Sequence, residues 1–180
     1  MTGLEEMDEM EELVIGIDLS DTYTKINCFE EEKSWTVPTV ICKKKQEDKW
    51  YVGKEAYGLV LTGTGIIVDK LLSLVMKDGT ATIEGVKYTA GELLEKFLRE
   101  VLKLPAEEYG TDRIAQLASS LAKVDGRIMD VLLRCADGLN LSRQRLHVAS
   151  HTETFDYYAM SQKKELCSNF AGGKISFVIA

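Results

Sequence analysis

Three strands are predicted at the start of the chain from its pattern of apolar and polar residues. Leu13–Leu19 (LVIGIDL) is apolar at successive positions, which is typical of a strand buried inside a sheet. Tyr23–Phe29 follows a tight turn and alternates between apolar and polar residues, which predicts a second strand. Trp35–Cys42 predicts a third, and Pro38 places it at a sheet edge or interrupts it, because proline cannot donate to a ladder. The short connections predict an antiparallel meander.

The middle of the chain predicts helices and one hairpin. The clearest helix is Ala90–Lys103, where apolar residues recur at helical spacing and form one stripe. Thr89 and Glu92 precede that stripe as a capping box, because the hydroxyl and the carboxylate can each satisfy a free amide. The weaker elements are short helices over Lys54–Leu61 and Ile67–Met76 and a hairpin over Gly79–Tyr88 that turns at Glu84-Gly85.

Strands and helices alternate in the last third of the chain. Alternation of this kind implies parallel strand pairing with helices on both faces of the sheet. The predicted elements are a strand at Arg113–Leu121, a helix at Gly126–Asp137, a strand at Arg145–Ser150, a helix at His151–Lys164 and a strand at Lys174–Ile179.

Composition and charge narrow the class of protein. The chain has 180 residues, of which 45% are hydrophobic, and this is enough for one globular domain with a sizeable core. A net charge of −7 argues against non-specific nucleic-acid binding and against binding to anionic membranes, since both need a basic field. No apolar stretch is long enough to span a bilayer.

The two chain termini and the cysteines add three expectations. Residues 1–12 are rich in carboxylates and contain no lysine or arginine, which predicts an acidic tail rather than a targeting peptide. The four cysteines are scattered, without a CxxC pair, which is typical of reduced thiols in a cytoplasmic protein. Residues 169–180 have the sequence NFAGGKISFVIA, in which a pair of glycines precedes a predicted apolar strand.

The order of these elements and one motif resemble a known superfamily. An antiparallel meander followed by alternating strands and helices resembles the first lobe of the actin, sugar-kinase and seventy-kilodalton heat-shock chaperone superfamily. Ile15–Thr24 (IGIDLSDTYT) is similar to the first phosphate-binding motif of those chaperones. The resemblance runs from about Leu13 to Ser161. Weaker matches to superfamily segments are Pro38-Thr39-Val40, Val52–Ala56, Gly91–Lys103 and Leu146–Tyr158.

The resemblance implies a fold and a general function. The fold would be α/β, a ribonuclease H-like actin-type lobe whose mixed five-stranded sheet has the order 3-2-1-4-5, with helices on both faces. Residues 13–168 would form this lobe, and residues 169–180 would be the start of a second-lobe strand or a strand that closes the first. The protein would be bacterial and cytoplasmic, and its partner would be a second lobe or another copy of the chain.

The resemblance also assigns roles to residues near the first turn. Asp18 would hold Mg²⁺ through water, the amides of Ser20, Asp21 and Thr22 would surround a phosphate of ATP, and Lys25 would contact that phosphate. The alternative is that Asp18 caps a strand end and that Lys25 is solvated. Ser20 stands where the superfamily has a turn glycine, and Asp21 places a carboxylate where phosphate oxygens would sit. These departures predict weak or absent binding of ATP and magnesium by this chain.

A catalytic carboxylate is expected just after the strand that begins near Leu146. Glu153 is the candidate, one turn into the following helix. The alternative is a second capping box formed by Ser150 and Glu153, which explains the same residues without catalysis. His147 and His151 are expected to be surface or capping residues.

Two functions from different classes remain open at this stage. The first is a nucleotide-binding lobe of the actin-like ATPase type, with the 180 residues alone not catalytic. The second is a degenerate lobe that serves as a scaffold or protein-interaction module and binds no nucleotide. One half of a small-molecule kinase is a third hypothesis, but it requires a substrate aspartate in a second motif, and no convincing one is present.

Overall fold

A computed structural model describes residues 12–29 and 33–161. The strands of the described residues are β1 Leu13–Leu19, β2 Tyr23–Cys28, β3 Ser34–Pro38, β4 Ile41–Lys44, β5 Trp50–Val52, β6 Gly65–Val68, β7 Thr80–Ile83, β8 Val86–Thr89, β9 Ile114–Leu121 and β10 Leu146–Ser150. The helices are α1 Gly53–Leu61, α2 Leu71–Met76, α3 Ala90–Val101, α4 Lys103–Tyr109, α5 Gly126–Gly138 and α6 His151–Ser161.

A mixed five-stranded sheet forms the centre of the fold, as the resemblance implies. Its strand order is β10-β9-β1-β2-β3. β1 pairs antiparallel with β2 and parallel with β9, and β10 pairs parallel with β9. The directions follow from the connections, because short turns can join only antiparallel neighbours, whereas the parallel strands are joined through helices.

One face of this sheet packs against the helices and forms the main hydrophobic core with them. Ile15, Ile17 and Leu19 of β1 are buried in it. They share one apolar cluster with residues of α2, α3 and α5, including Phe97, which is fully buried on α3. The predicted stripe on α3 therefore faces the core, and the capping box at its start is present, with the Glu92 amide donating to the Thr89 hydroxyl at 3.2 Å.

The second face of the sheet is polar and more open. The expectation that β1 is buried on both sides is wrong for this face, where Gly16 and Asp18 are only half-buried. Small and polar residues on neighbouring strands, such as Ala118, cannot form a second apolar layer. α6 contacts β9 and β10, and its Thr154 and Tyr157 share a groove of about 690 Å³ with this face.

The segment between β3 and α3 departs most from the predicted elements. The predicted third strand is two strands, because the chain leaves the large sheet after Pro38 and continues into a small sheet of order β5-β4-β6. At Gly53, after β5, the chain passes close to β3. Only glycine fits this position well, since it has φ +58° and an added Cβ would lie 2.6 Å from Val37 Cγ1. The predicted helix over Ile67–Met76 is β6 followed by α2. Two predicted elements agree: α1 and the β7–β8 hairpin, which turns at Glu84-Gly85.

Several expectations fall outside the described residues. Residues 1–11 of the acidic tail, the end of the predicted helix at 162–164 and the whole segment 169–180 with its predicted strand Lys174–Ile179 are among them. No helix in the described part of the chain is both long and apolar enough to cross a membrane.

The buried position of Phe97 leads to a stability prediction. Phe97→Ala should lower the free energy of unfolding by about 3–5 kcal/mol, because the change removes a fully buried ring and leaves a cavity. Phe29→Ala is the matched control, since that ring is 82% exposed, and it should change the free energy by less than about 0.5 kcal/mol. Urea denaturation of both variants measures the difference. Equal losses would contradict the assignment of the core face.

Candidate functional site

The carboxyl ends of three parallel strands lie side by side in the large sheet. Asp18 is near the end of β1, Ser120 is its register partner on β9, and His151 is the first residue after β10. Ligands of open α/β sheets bind outside the carboxyl ends of the strands, so a ligand site is expected at this edge.

Asp18 is the centre of a small polar cluster at this edge. Its Oδ1 lies 2.7 Å from His151 Nε2 and accepts a hydrogen bond of 3.1 Å from the Ser120 hydroxyl. The side chains of Asp18 and His151 are 43% and 42% exposed. Because the cluster is held by hydrogen bonds and remains open to solvent, a ligand can reach Asp18 without unfolding of the edge.

Ser20 closes the β1–β2 turn with its own side chain. Its hydroxyl donates to the carbonyl of Tyr23 at 2.8 Å and accepts from the Tyr23 amide at 3.1 Å. The Ser20 amide also donates to the same carbonyl at 3.2 Å. The turn residues Ser20, Asp21 and Thr22 have no positive φ, so the turn does not need the glycine that the superfamily carries there.

Asp21 directs its carboxylate at α2. Oδ1 accepts hydrogen bonds from the amides of Leu72 at 2.9 Å and Ser73 at 3.2 Å, and Oδ2 accepts one from the Ser73 hydroxyl. The carboxylate thus satisfies amides at the start of a helix 51 residues further along the chain. The repulsion between this carboxylate and a phosphate, expected from the sequence, is reduced because three donors of α2 already hold the charge.

The tip of the turn carries free hydrogen-bond donors. Within the described residues, the backbone amides of Asp21 and Thr22 donate no hydrogen bond. Lys25 is exposed, is the antiparallel register partner of Asp18 and forms no ion pair in the described part of the chain. Two free amides and one free cation can hold an anion such as phosphate. The Asp18 carboxylate lies beside them, and the Asp21 carboxylate is engaged by α2.

Glu153 forms the predicted capping box. Its Oε2 accepts hydrogen bonds from the Ser150 amide at 2.7 Å and the Ser150 hydroxyl at 2.8 Å. The hydrogen bond from the Ser150 amide is the main cause that lowers the pKa of the carboxyl group. The capping contact accounts for the position of Glu153, and its catalytic role stays a prediction.

The donor atoms at this edge fit a metal ion that receives part of its ligands from the phosphates of a bound molecule. No group of three or more His, Cys, Asp or Glu side chains in the described chain is arranged to hold a metal ion by itself. One carboxylate, Asp18, is enough for Mg²⁺ when substrate phosphates and water supply the remaining oxygens. The sequence reasoning missed Ser120 and the contact of His151, although both follow from aligning the carboxyl ends of the predicted parallel strands.

The contacts of Asp21 lead to a second stability prediction. Asp21→Ala should lower the free energy of unfolding by about 1–3 kcal/mol, because two amides and one hydroxyl lose their acceptor in a half-buried place. Asp21→Asn retains one acceptor oxygen and should cost less. Thermal denaturation of both variants provides the comparison, and an Asp21→Ala protein as stable as the parent would show that the contact with α2 is not formed.

The capping box of α6 leads to a prediction for pH dependence. The folded pKa of Glu153 lies below its ordinary value of 4.5, so the cap is complete above that value and is lost as pH falls through the folded pKa. The Ser150 amide resonance should therefore titrate with a midpoint below 4.5 in an NMR pH series. Glu153→Gln should abolish this titration, because glutamine keeps an acceptor without a charge. A midpoint above 4.5 in the parent would contradict the cap.

Comparison with solved structures gives the fold. A non-polymerising mutant of MamK bound to AMPPNP matches with a TM-score of 0.54 and 18% sequence identity. The match covers 78% of this chain and 41% of the MamK chain, so the chain spans less than half of MamK's length. This likeness shows that the chain has an actin-like fold.

Comparison at the level of sequence gives the family. A search of curated proteins returned no match. A family model with the description "Family of unknown function (DUF5716) C-terminal" matches residues 22–172, which is most of the chain. The matched range begins within the β1–β2 turn and includes α6. The chain therefore belongs to the DUF5716 C-terminal family.

Proposed function

We propose that this chain is the phosphate-binding first lobe of an actin-type nucleotide-binding domain built on a ribonuclease H-like core. The observation that carries the proposal is the position of Asp18 at the carboxyl end of β1, next to a turn whose tip has two free amides. The actin-like fold supports it, but a fold alone does not fix a function. The chemistry of the turn is the more specific support.

The turn binds the phosphates of ATP in this proposal. The amides of Asp21 and Thr22 donate to phosphate oxygens, and the Thr22 hydroxyl is a further donor. Lys25 stands opposite Asp18 and supplies the positive charge. Ser20 shapes the turn through its contacts with Tyr23 rather than by contacting the ligand.

Asp18 is the residue that would hold magnesium. The ion supplies neutralisation of phosphate charge when it is bound, and Asp18 supplies a carboxylate oxygen to it or to its water shell. Ser120 donates to Asp18 and keeps the carboxylate oriented towards the strand ends. Glu153 is the proposed catalytic carboxylate and would act through Oε1, because both contacts with Ser150 use Oε2.

The isolated chain is proposed to bind ATP weakly and not to hydrolyse it. MamK was solved with AMPPNP, and this chain spans 41% of that protein. Good ligand sites bury most of the ligand surface, and an open strand edge buries little. We propose that a second lobe or another copy of the chain covers the rest of the nucleotide. The proposal includes a bacterial, cytoplasmic setting and neither nucleic-acid nor membrane binding.

A scaffold without nucleotide is the second candidate, and α6 favours it. Only Ala159 of this helix is buried, while Tyr157, Tyr158 and Met160 are exposed. Aromatic and methionine side chains are enriched at protein interfaces. In this alternative the chain binds another protein, and the turn is only a structural connection.

Calorimetric titration with Mg-ATP separates the two candidates. The proposal predicts a dissociation constant of about 0.1–1 mM, which is roughly −4 to −5.5 kcal/mol. Asp18→Ala should abolish the heat of binding. Asp48→Ala is the matched control in an exposed turn and should bind as the parent does. No heat of binding in the parent would favour the scaffold, and a dissociation constant in the micromolar range would contradict weak binding.

A further inference from the structure

We propose that His151 is a direct ligand of the divalent ion that accompanies the nucleotide, so that the site prefers Mn²⁺ to Mg²⁺. The inference rests on the proposed nucleotide function and goes beyond it by naming a nitrogen ligand and the class of metal. It starts from the short separation between His151 Nε2 and Asp18 Oδ1.

The separations of two donor atoms from Asp18 Oδ1 are those of adjacent ligands in one coordination sphere. Asp18 Oδ1 lies 2.7 Å from His151 Nε2 and 3.1 Å from the Ser120 hydroxyl. Adjacent ligands of an octahedral ion with bonds of about 2.1 Å are about 3 Å apart. A divalent ion that lies to one side of the line between Asp18 Oδ1 and His151 Nε2 can therefore bind both atoms as adjacent ligands after small side-chain rotations.

The backbone fixes the donors from three neighbouring elements. Asp18 and Ser120 are register partners in the parallel pair β1–β9. His151 is the first residue of α6, and the capping box between Ser150 and Glu153 holds the turn from which its side chain extends. At this edge of the sheet one imidazole and one hydroxyl thus contact the same carboxylate oxygen, Asp18 Oδ1.

The chemistry of this donor set selects the metal. Mg²⁺ is a hard ion that takes oxygen ligands and gives up water reluctantly. Mn²⁺ accepts the same carboxylate and phosphate oxygens, and it is a first-row transition ion that also binds imidazole nitrogen. Asp18 and His151 are the only carboxylate and imidazole in the cluster. The ion therefore needs phosphate oxygens to complete its coordination sphere. Affinity should therefore depend on the nucleotide.

Pulsed electron paramagnetic resonance of the Mn²⁺-ATP complex tests the ligand directly. A nitrogen bound to Mn²⁺ modulates the electron spin echo, and the chain contains only two histidines, His147 and His151. The inference predicts histidine nitrogen modulation in the parent and in His147→Gln, and its loss in His151→Gln. Labelling histidine with ¹⁵N separates this signal from the nitrogens of ATP. Modulation that is absent from the parent, or unchanged in His151→Gln, overturns the inference.

Binding constants provide the second readout. Calorimetry should give about tenfold tighter binding of Mn-ATP than of Mg-ATP in the parent, and His151→Gln should remove this preference while Mg-ATP still binds. Equal dissociation constants of Mn-ATP and Mg-ATP in the parent would overturn the assignment of His151 as a metal ligand and would leave the proposed function intact. Absence of binding with either ion overturns both, which distinguishes the two failures.

Discussion

The pairing of β1 with a parallel strand on one side and an antiparallel strand on the other is the constraint on which the rest of the structure depends. Its buried residues, such as Ile17, anchor the main core. Gly16 and Asp18 of the same strand line the groove on the open side. Because β9 and β10 run parallel to it, their carboxyl ends meet at Asp18. The same strand therefore organises both the core and the candidate site.

The contact between Asp21 and α2 connects the turn with the segment inserted between β3 and α3. In the sequence, the acidic Asp21 is a local conflict with the phosphate binding that we propose for this turn. The structure resolves the conflict, because the start of α2 supplies amides that need an acceptor. The Asp21 carboxylate accepts hydrogen bonds from α2, and the backbone amides of Asp21 and Thr22 stay free to bind a ligand.

The sequence predicts the elements whose hydrophobic period is long and unambiguous. α3 and α5 are of this kind, and their core faces follow from residue spacing. β1 is located correctly, but its successive apolar residues predict burial on both faces, whereas Gly16 and Asp18 are only half-buried. Errors occur where short apolar runs fit either period. By spacing alone, Ile66, Ile67 and Val68 could extend a helix. In the structure they belong to β6, which pairs with β4, and β-branched residues favour strands. Pro38 marks the change of sheet, although its position alone does not reveal where the chain continues.

The candidate site is less predictable because its contacts join distant parts of the chain. Asp18 and the turn can be found from a local motif. The partner of Asp18, His151, is 133 residues away, and no local pattern links the two. The role of Asp21 likewise depends on α2, whose start the sequence placed too early. Glu153 is a different case, because its capping spacing is local and could be identified without the fold.

The most direct test of the central claim is an amide NMR titration of the chain with inorganic tripolyphosphate, which carries the phosphates without the nucleoside. The account predicts that the amides of Asp21 and Thr22 shift most, because they are the free donors at the tip of the turn. Lys25→Gln should weaken the response without moving it elsewhere. Unchanged amides at the turn, or larger shifts far from the carboxyl ends of β1, β9 and β10, would contradict a phosphate site at this edge of the sheet.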